Sequence, residues 1–190
     1  MPEKDAYRLI NPYIEGSFNT VVHASNSFSG GKKIYKNLSS FFKNQVDNFY
    51  MTIQNIETKD LSHFVVNEKN GKDGAIGYVI TKFDGKMSPD LEKKLLNTID
   101  KTSKQSGGKH RRHRLLDDDS SSDSSSSSDD TNYFRFRPQP ITRFTYFYLP
   151  YYKLNMVGLS PIDMARFYLP IFSFPVNPSI EVRFDFYRGF

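Results

Sequence analysis

Phe49-Tyr50-Met51-Thr52-Ile53-Gln54-Asn55-Ile56 leads through the polar turn Thr58-Lys59-Asp60 into Leu61-Ser62-His63-Phe64-Val65-Val66. Phe49, Met51 and Ile53 recur every second residue, the period of a strand, and the two runs joined by that turn predict a β-hairpin. Working outward, Lys69-Asn70-Gly71-Lys72-Asp73-Gly74 carries the Asn-Gly and Asp-Gly signals of a second hairpin loop. Ile76, Tyr78 and Ile80 follow as another strand, ending near Phe83. Ser88-Pro89 reads as a helix start: Ser as N-cap, Pro at the first helical position, and Asp90 and Glu92 near the positive helix end. Leu91, Leu95, Leu96 and Ile99 supply the apolar face of that helix. Upstream, Ile34, Leu38, Phe41 and Phe42 form one stripe on a helix expected from about Lys32 to Asn44. Gly30-Gly31 separates it from a first strand in which Phe18, Thr20, Val22 and Ala24 alternate. The expectation is an α+β fold: a four-stranded, mostly antiparallel sheet with two helices on one face, in the order βαβββα.

The composition shows that this pattern does not run the length of the chain. Only 37% of the 190 residues are hydrophobic, yet there are 17 Phe and 12 Tyr, so polar and apolar residues must be segregated. Residues 101–116 carry six basic side chains and no acid, whereas residues 117–130 carry six Asp, eight Ser and no base. Residues 131–190 hold 17 of the 29 aromatics and seven of the ten prolines. Three parts follow: a small α+β domain over 1–100, a flexible basic then Ser/Asp-rich linker over 101–132, and an aromatic, Pro-rich extended or β segment over 133–190. From Thr102 to Asp130 the sizeable apolar residues are Leu115 and Leu116, too few to offset an ordering cost of roughly 1–2 kcal/mol per residue, so the linker is expected to be disordered.

The linker offers two kinds of chemistry. Lys109, Arg111, Arg112 and Arg114 would be attracted to phosphates, giving weak, salt-sensitive binding to nucleic acid or a nuclear-import patch. Against this, the adjoining acidic run lies within a Debye length of ~10 Å and can neutralise the basic one. Ser120, Ser126 and Ser127 each have an Asp three residues later, the pattern favoured by acidophilic kinases, and each phosphate would add about −1.5 to −2.

The aromatic segment favours extended structure, because β-branched and aromatic residues suit strands and proline blocks helix. Ile180, Val182, Phe184 and Phe186 alternate with Glu181, Arg183 and Asp185, one clear strand face. Two readings stand side by side. The segment forms a second compact unit or folds back onto the first sheet, or it docks on another protein with Phe144, Phe147, Tyr151, Phe172, Phe174, Phe184 and Phe186 as anchors.

Catalytic patterns are scarce. Gly31-Lys32 ends like a phosphate-binding loop, but Asn26 stands where its first Gly belongs and Lys33 replaces the magnesium-binding hydroxyl. His110 and His113 are too few for structural zinc. His23 and His63 fall in predicted strands with no nucleophile and orienting acid beside them in sequence. Cysteine is absent, which removes disulfides and thiol chemistry. We therefore expect no enzyme, and no catalytic, cofactor-binding or metal-binding residues. No apolar run approaches the ~18–20 residues of a membrane span, and the start Met1-Pro2-Glu3-Lys4-Asp5 lacks the pattern of a secretory signal.

Several stretches together resemble uncharacterised proteins of giant DNA viruses of the mimivirus-like kind. They are Tyr35–Asn44, Phe49–Asn55, His63–Lys69, the Gly-Gly-Lys patch, the Ser/Asp tract, and the Tyr/Phe/Pro-rich ending with Pro140-Ile141 and Pro175-Val176-Asn177-Pro178-Ser179-Ile180-Glu181. The resemblance implies a virus-encoded accessory or virion-associated protein, found in the host cytoplasm, the viral factory or the virion and not secreted, with no active-site residues to carry over. The expected function is a non-enzymatic structural or accessory role through protein–protein contact, the partner being another protein such as a virion component. Nucleic-acid binding by the basic block is the alternative.

Overall fold

The computed structural model describes residues 5–44, 46, 48–70, 76–106, 139–150, 152, 158, 160, 162–163 and 168–186. They form an α+β fold with two sheets. The first has five antiparallel strands: β1 (Asp5–Asn11), β3 (Val21–Ala24), β4 (Phe49–Asn55), β5 (Leu61–Asn70) and β6 (Ile76–Phe83), in the spatial order β3-β1-β4-β5-β6. The second has three, β2 (Tyr13–Glu15), β7 (Arg143–Phe147) and β8 (Ser179–Arg183), in the order β2-β7-β8 with β7 and β8 parallel. Two helices accompany them, α1 (Ser27–Ser39) and α2 (Pro89–Ser106).

The hairpin read from residues 49–66 is present, with Met51 opposite Phe64 and Thr52 opposite His63. The βαβββα expectation needs correcting at its front end. Two strands precede the first one expected, and β1 takes a central place between β3 and β4. Its burial explains why alternation did not reveal it: Leu9, Ile10 and Asn11 are consecutive and all buried. A register shift between Leu9 and Asn11 turns the chain at this point, the Asn11–Pro12 peptide is cis, and β2 enters the second sheet against β7. One continuous stretch of chain thus belongs to both sheets.

Helix α1 begins earlier than Lys32. Asn26 is its N-cap, accepting a hydrogen bond from the Ser29 N–H at 2.8 Å, and Gly30-Gly31 lie inside the first turns instead of breaking the chain. Packing explains the glycines. A Cβ at Gly30 would sit 3.0 Å from the Tyr7 ring, and one at Gly31 would sit 3.2 Å from Phe64 and Met51. The helix therefore lies on the face of the sheet that carries Tyr7, Met51 and Phe64, with Ile34, Tyr35 and Leu38 fully buried beneath it.

The two helices do not share a face. Neighbouring side chains on a strand point to opposite sides, so His63 faces away from α1. There it lines a cleft with Met87 and Glu92, where α2 begins. Leu95 and Ile99 are buried, and α2 continues past residue 100 to Ser106, so its last turns occupy the start of the stretch assigned to the linker.

The aromatic segment folds back. One buried cluster takes Tyr7, Ile34, Met51 and Phe64 from the front of the chain and Phe144, Tyr146, Phe147 and Phe186 from the rear. Tyr146 donates to the Tyr50 carbonyl at 2.8 Å, and Tyr50 stacks on Tyr152 with ring centroids 4.4 Å apart. Each such ring contributes about 1.5–3 kcal/mol by leaving water.

Candidate functional site

The residues proposed as docking anchors divide sharply. Phe144, Phe147 and Phe186 are at most 1% exposed, their rings committed to the chain's own interior. They are not surface anchors: Phe147 packs edge-on against Phe186 with centroids 5.6 Å apart, and Phe144 against Phe172 and Tyr146 at 5.3 and 6.5 Å. Phe184 is half-buried and stacks on Tyr148 at 4.9 Å. Phe172 is packed between Phe42 and Phe144, with centroids at 5.6 and 5.3 Å. Phe174 is 98% exposed. Tyr151, the basic residues Lys109, Arg111, Arg112 and Arg114, and the serines Ser120, Ser126 and Ser127 lie outside the described residues.

What holds Phe174 out is local. The chain at 171–173 runs antiparallel to the end of α1, joined by a bridge between Phe42 and Phe172. The Lys43 N–H donates to the Ile171 carbonyl and the Ser173 N–H to the Phe41 carbonyl, both at 2.7 Å. Asn44 Oδ1 accepts from the Ile171 N–H at 2.6 Å. With the Phe172 ring turned inward, Ile171 is turned outward and is 59% exposed. The chain then reverses in a turn closed by the Val176 N–H on the Ser173 carbonyl at 2.9 Å, with a cis peptide between Phe174 and Pro175. Phe174 occupies the tip of that turn. The result is a pinned loop with two large apolar side chains facing solvent. Ile171 was not singled out from the sequence; its signal was the alternation of Ile171, Phe172 and Ser173 between two prolines.

A second feature runs through the interior. Asn11 is fully buried at the junction of the two sheets. Its side chain donates to the Phe147 carbonyl and to the Tyr152 hydroxyl, both at 2.8 Å, and accepts from the Phe147 N–H at 3.1 Å. Tyr152 in turn contacts Thr52, and Thr52 Oγ1 lies 2.8 Å from His63 Nδ1. Burial pushes the Tyr146, Tyr148 and Tyr152 hydroxyls up, so these phenols stay neutral. Burial pushes the His63 imidazole down to about 4. The polar chain ends at the cleft of about 500 Å³ that His63 lines together with Lys59, Asp60, Lys86, Met87 and Glu92. A neighbouring cleft of about 540 Å³ is lined by Lys86, Ser88, Leu91, Lys94, Pro150 and Phe186. Among the described residues no three His, Asp or Glu side chains are grouped to hold a metal ion, and no helix is long and apolar enough to cross a membrane.

These features define an α+β protein of two interlocked sheets that carries an exposed apolar loop at 171–176. No family model matches the chain, and no solved structure matches it. It is 52% identical over 188 residues, covering 99% of both chains, to an uncharacterised protein of Acanthamoeba polyphaga mimivirus. The chain belongs to that family of giant-virus proteins.

Proposed function

We propose that this is a non-enzymatic structural or accessory protein of the virus, acting by binding another protein through the loop at 171–176. The observation that carries this reading is the exposure of Phe174, 98%, on a backbone fixed by hydrogen bonds to Phe41, Lys43 and Asn44. A rigid loop loses little entropy when it binds, and an aromatic side chain entering a pocket gains about 1.5–3 kcal/mol from burial. The partner in this reading is a protein with an apolar pocket, a virion component for instance. A photoreactive benzoylphenylalanine at position 174 of the full chain, irradiated in infected cells, should crosslink one defined protein. Purified, that protein should bind the Phe174→Ser chain at least tenfold more weakly than the natural chain. The Val79→Ser chain, altered at an exposed residue of β6, should bind normally. Equal affinity for the natural and Phe174→Ser chains overturns the proposal.

The basic block at 109–114 supports the alternative, nucleic-acid binding. That reading requires affinity for DNA or RNA to fall steeply between low and physiological salt.

A further inference from the structure

Among the described residues strand β8 is the outer strand of the second sheet, paired with β7. In that parallel pairing the Ser179 N–H donates to the Thr142 carbonyl and the Arg183 carbonyl accepts from the Tyr148 N–H, both at 2.9 Å. Residues 179, 181 and 183 therefore direct their backbone groups toward β7. Backbone groups alternate along a strand, so the N–H and C=O of Ile180 and Val182 point outward, and no hydrogen bond from a described residue meets them. Ile180 itself is 49% exposed. An edge of this kind is a template for another strand unless charge, proline or a covering element blocks it.

The sequence of the edge indicates which strand fits. An antiparallel ladder sets outward-pointing residues opposite one another, so a two-fold pairing of β8 with β8 of a second copy has two registers that use both Ile180 and Val182. One centres on Glu181 and sets Glu181 against Glu181 of the second copy, a like-charge contact. The other centres on Val182. It sets each Glu181 opposite Arg183 of the second copy and each Ile180 opposite Phe184, with the two Val182 residues facing each other. Glu181 is already ion-paired with Arg143 and Arg183 of its own chain, so in this register the two Glu181–Arg183 pairs join into one network on one face while apolar meets apolar on the other, twice over by symmetry. The inner face is already apolar on the β7 side, where Phe144, Tyr146 and Tyr148 adjoin Ile180, Val182 and Phe184.

We propose that this protein forms a two-fold dimer by antiparallel pairing of β8 with β8 about Val182, making one six-stranded sheet from two three-stranded ones. The proposal is independent of the loop at 171–176 and stands or falls on different variants.

The absence of cysteine from the chain makes a direct test simple. The natural chain should sediment as a dimer, twice the 22.0 kDa monomer mass, with dissociation on the order of 10 µM for so small an interface. Ile180→Lys should raise that dissociation constant at least tenfold, while Phe174→Ser should leave it unchanged. Under mild oxidation Val182→Cys should form a disulfide-linked dimer at least tenfold faster than Glu181→Cys, since about 5.5 Å between facing Cα atoms suits a disulfide. Near-ultraviolet circular dichroism checks that each variant keeps its fold. A natural chain that stays monomeric at ten times that concentration overturns the proposal, as does a dimer that crosslinks as fast through Glu181→Cys as through Val182→Cys.

Discussion

His63 sets a pH limit on this fold that can be measured. Its imidazole is 7% exposed and hydrogen-bonded to Thr52 at 2.8 Å, and burial brings its pKa from 6.5 to about 4. The folded chain therefore binds a proton at this site less readily than the unfolded chain. The stability contributed by the neutral ring is fully present above pH 6.5 and is lost as the pH falls toward 4. Between pH 7 and pH 5 the unfolded-state histidine becomes almost fully protonated while the folded one stays neutral, which removes about 2 kcal/mol. In a chain of this size that lowers Tm by about 4–8 °C. Thermal melts of the natural chain and of His63→Gln at pH 7 and pH 5 isolate the effect, because the other histidines and the carboxylates are common to both. The natural chain should lose about 2 kcal/mol more than His63→Gln does. An equal loss in the two chains, or an imidazole that titrates near 6.5 by nuclear magnetic resonance in the folded protein, refutes the argument.

Two further substitutions test the junction of the sheets. Asn11→Ala removes the bonds that the N–H and carbonyl of Phe147 and the Tyr152 hydroxyl make to it at 2.8–3.1 Å, and should cost about 3 kcal/mol in urea unfolding. Gly16→Ala should cost about 2 kcal/mol or more in the same assay: Gly16 has φ +131°, and a Cβ there would lie 2.5 Å from the Pro140 carbonyl oxygen.

The parts of this fold that could be read from the chain are those whose residue types alternate or cap, even where, as in β4, every residue is buried. In the hairpin of β4 and β5, in β6, and at Ser88-Pro89 before α2, apolar spacing or capping chemistry marks the element directly. Elsewhere a strand covered on both faces carries apolar or aromatic residues without alternation. β1 presents Leu9, Ile10 and Asn11 all to the interior, and β7 reads Phe144-Thr145-Tyr146-Phe147 with every residue buried. Gly30-Gly31 suggests a break by composition, but close approach to Tyr7 and Phe64 is what calls for glycine there. The surface loop was half legible. Phe172 and Phe174 are two apart and look equivalent, yet one is packed against Phe42 and the other projects into water. The difference arises from a turn that begins at Ser173 and from backbone bonds to residues about 130 positions earlier. Sequence separation of that size leaves no local trace.

The same long reach has a kinetic consequence. Asn11 is bonded to Phe147, 136 residues away, and β2 pairs with a strand that begins at Arg143. During synthesis the ribosome delivers the first strands at once, but their partners emerge only after three-quarters of the chain has been made, some 7–30 s later at about 5–20 residues per second. Until then the rings that stack on Tyr50 are missing, although α2 on that side of the sheet has already been made, and completing the core is a slow, nonlocal closure.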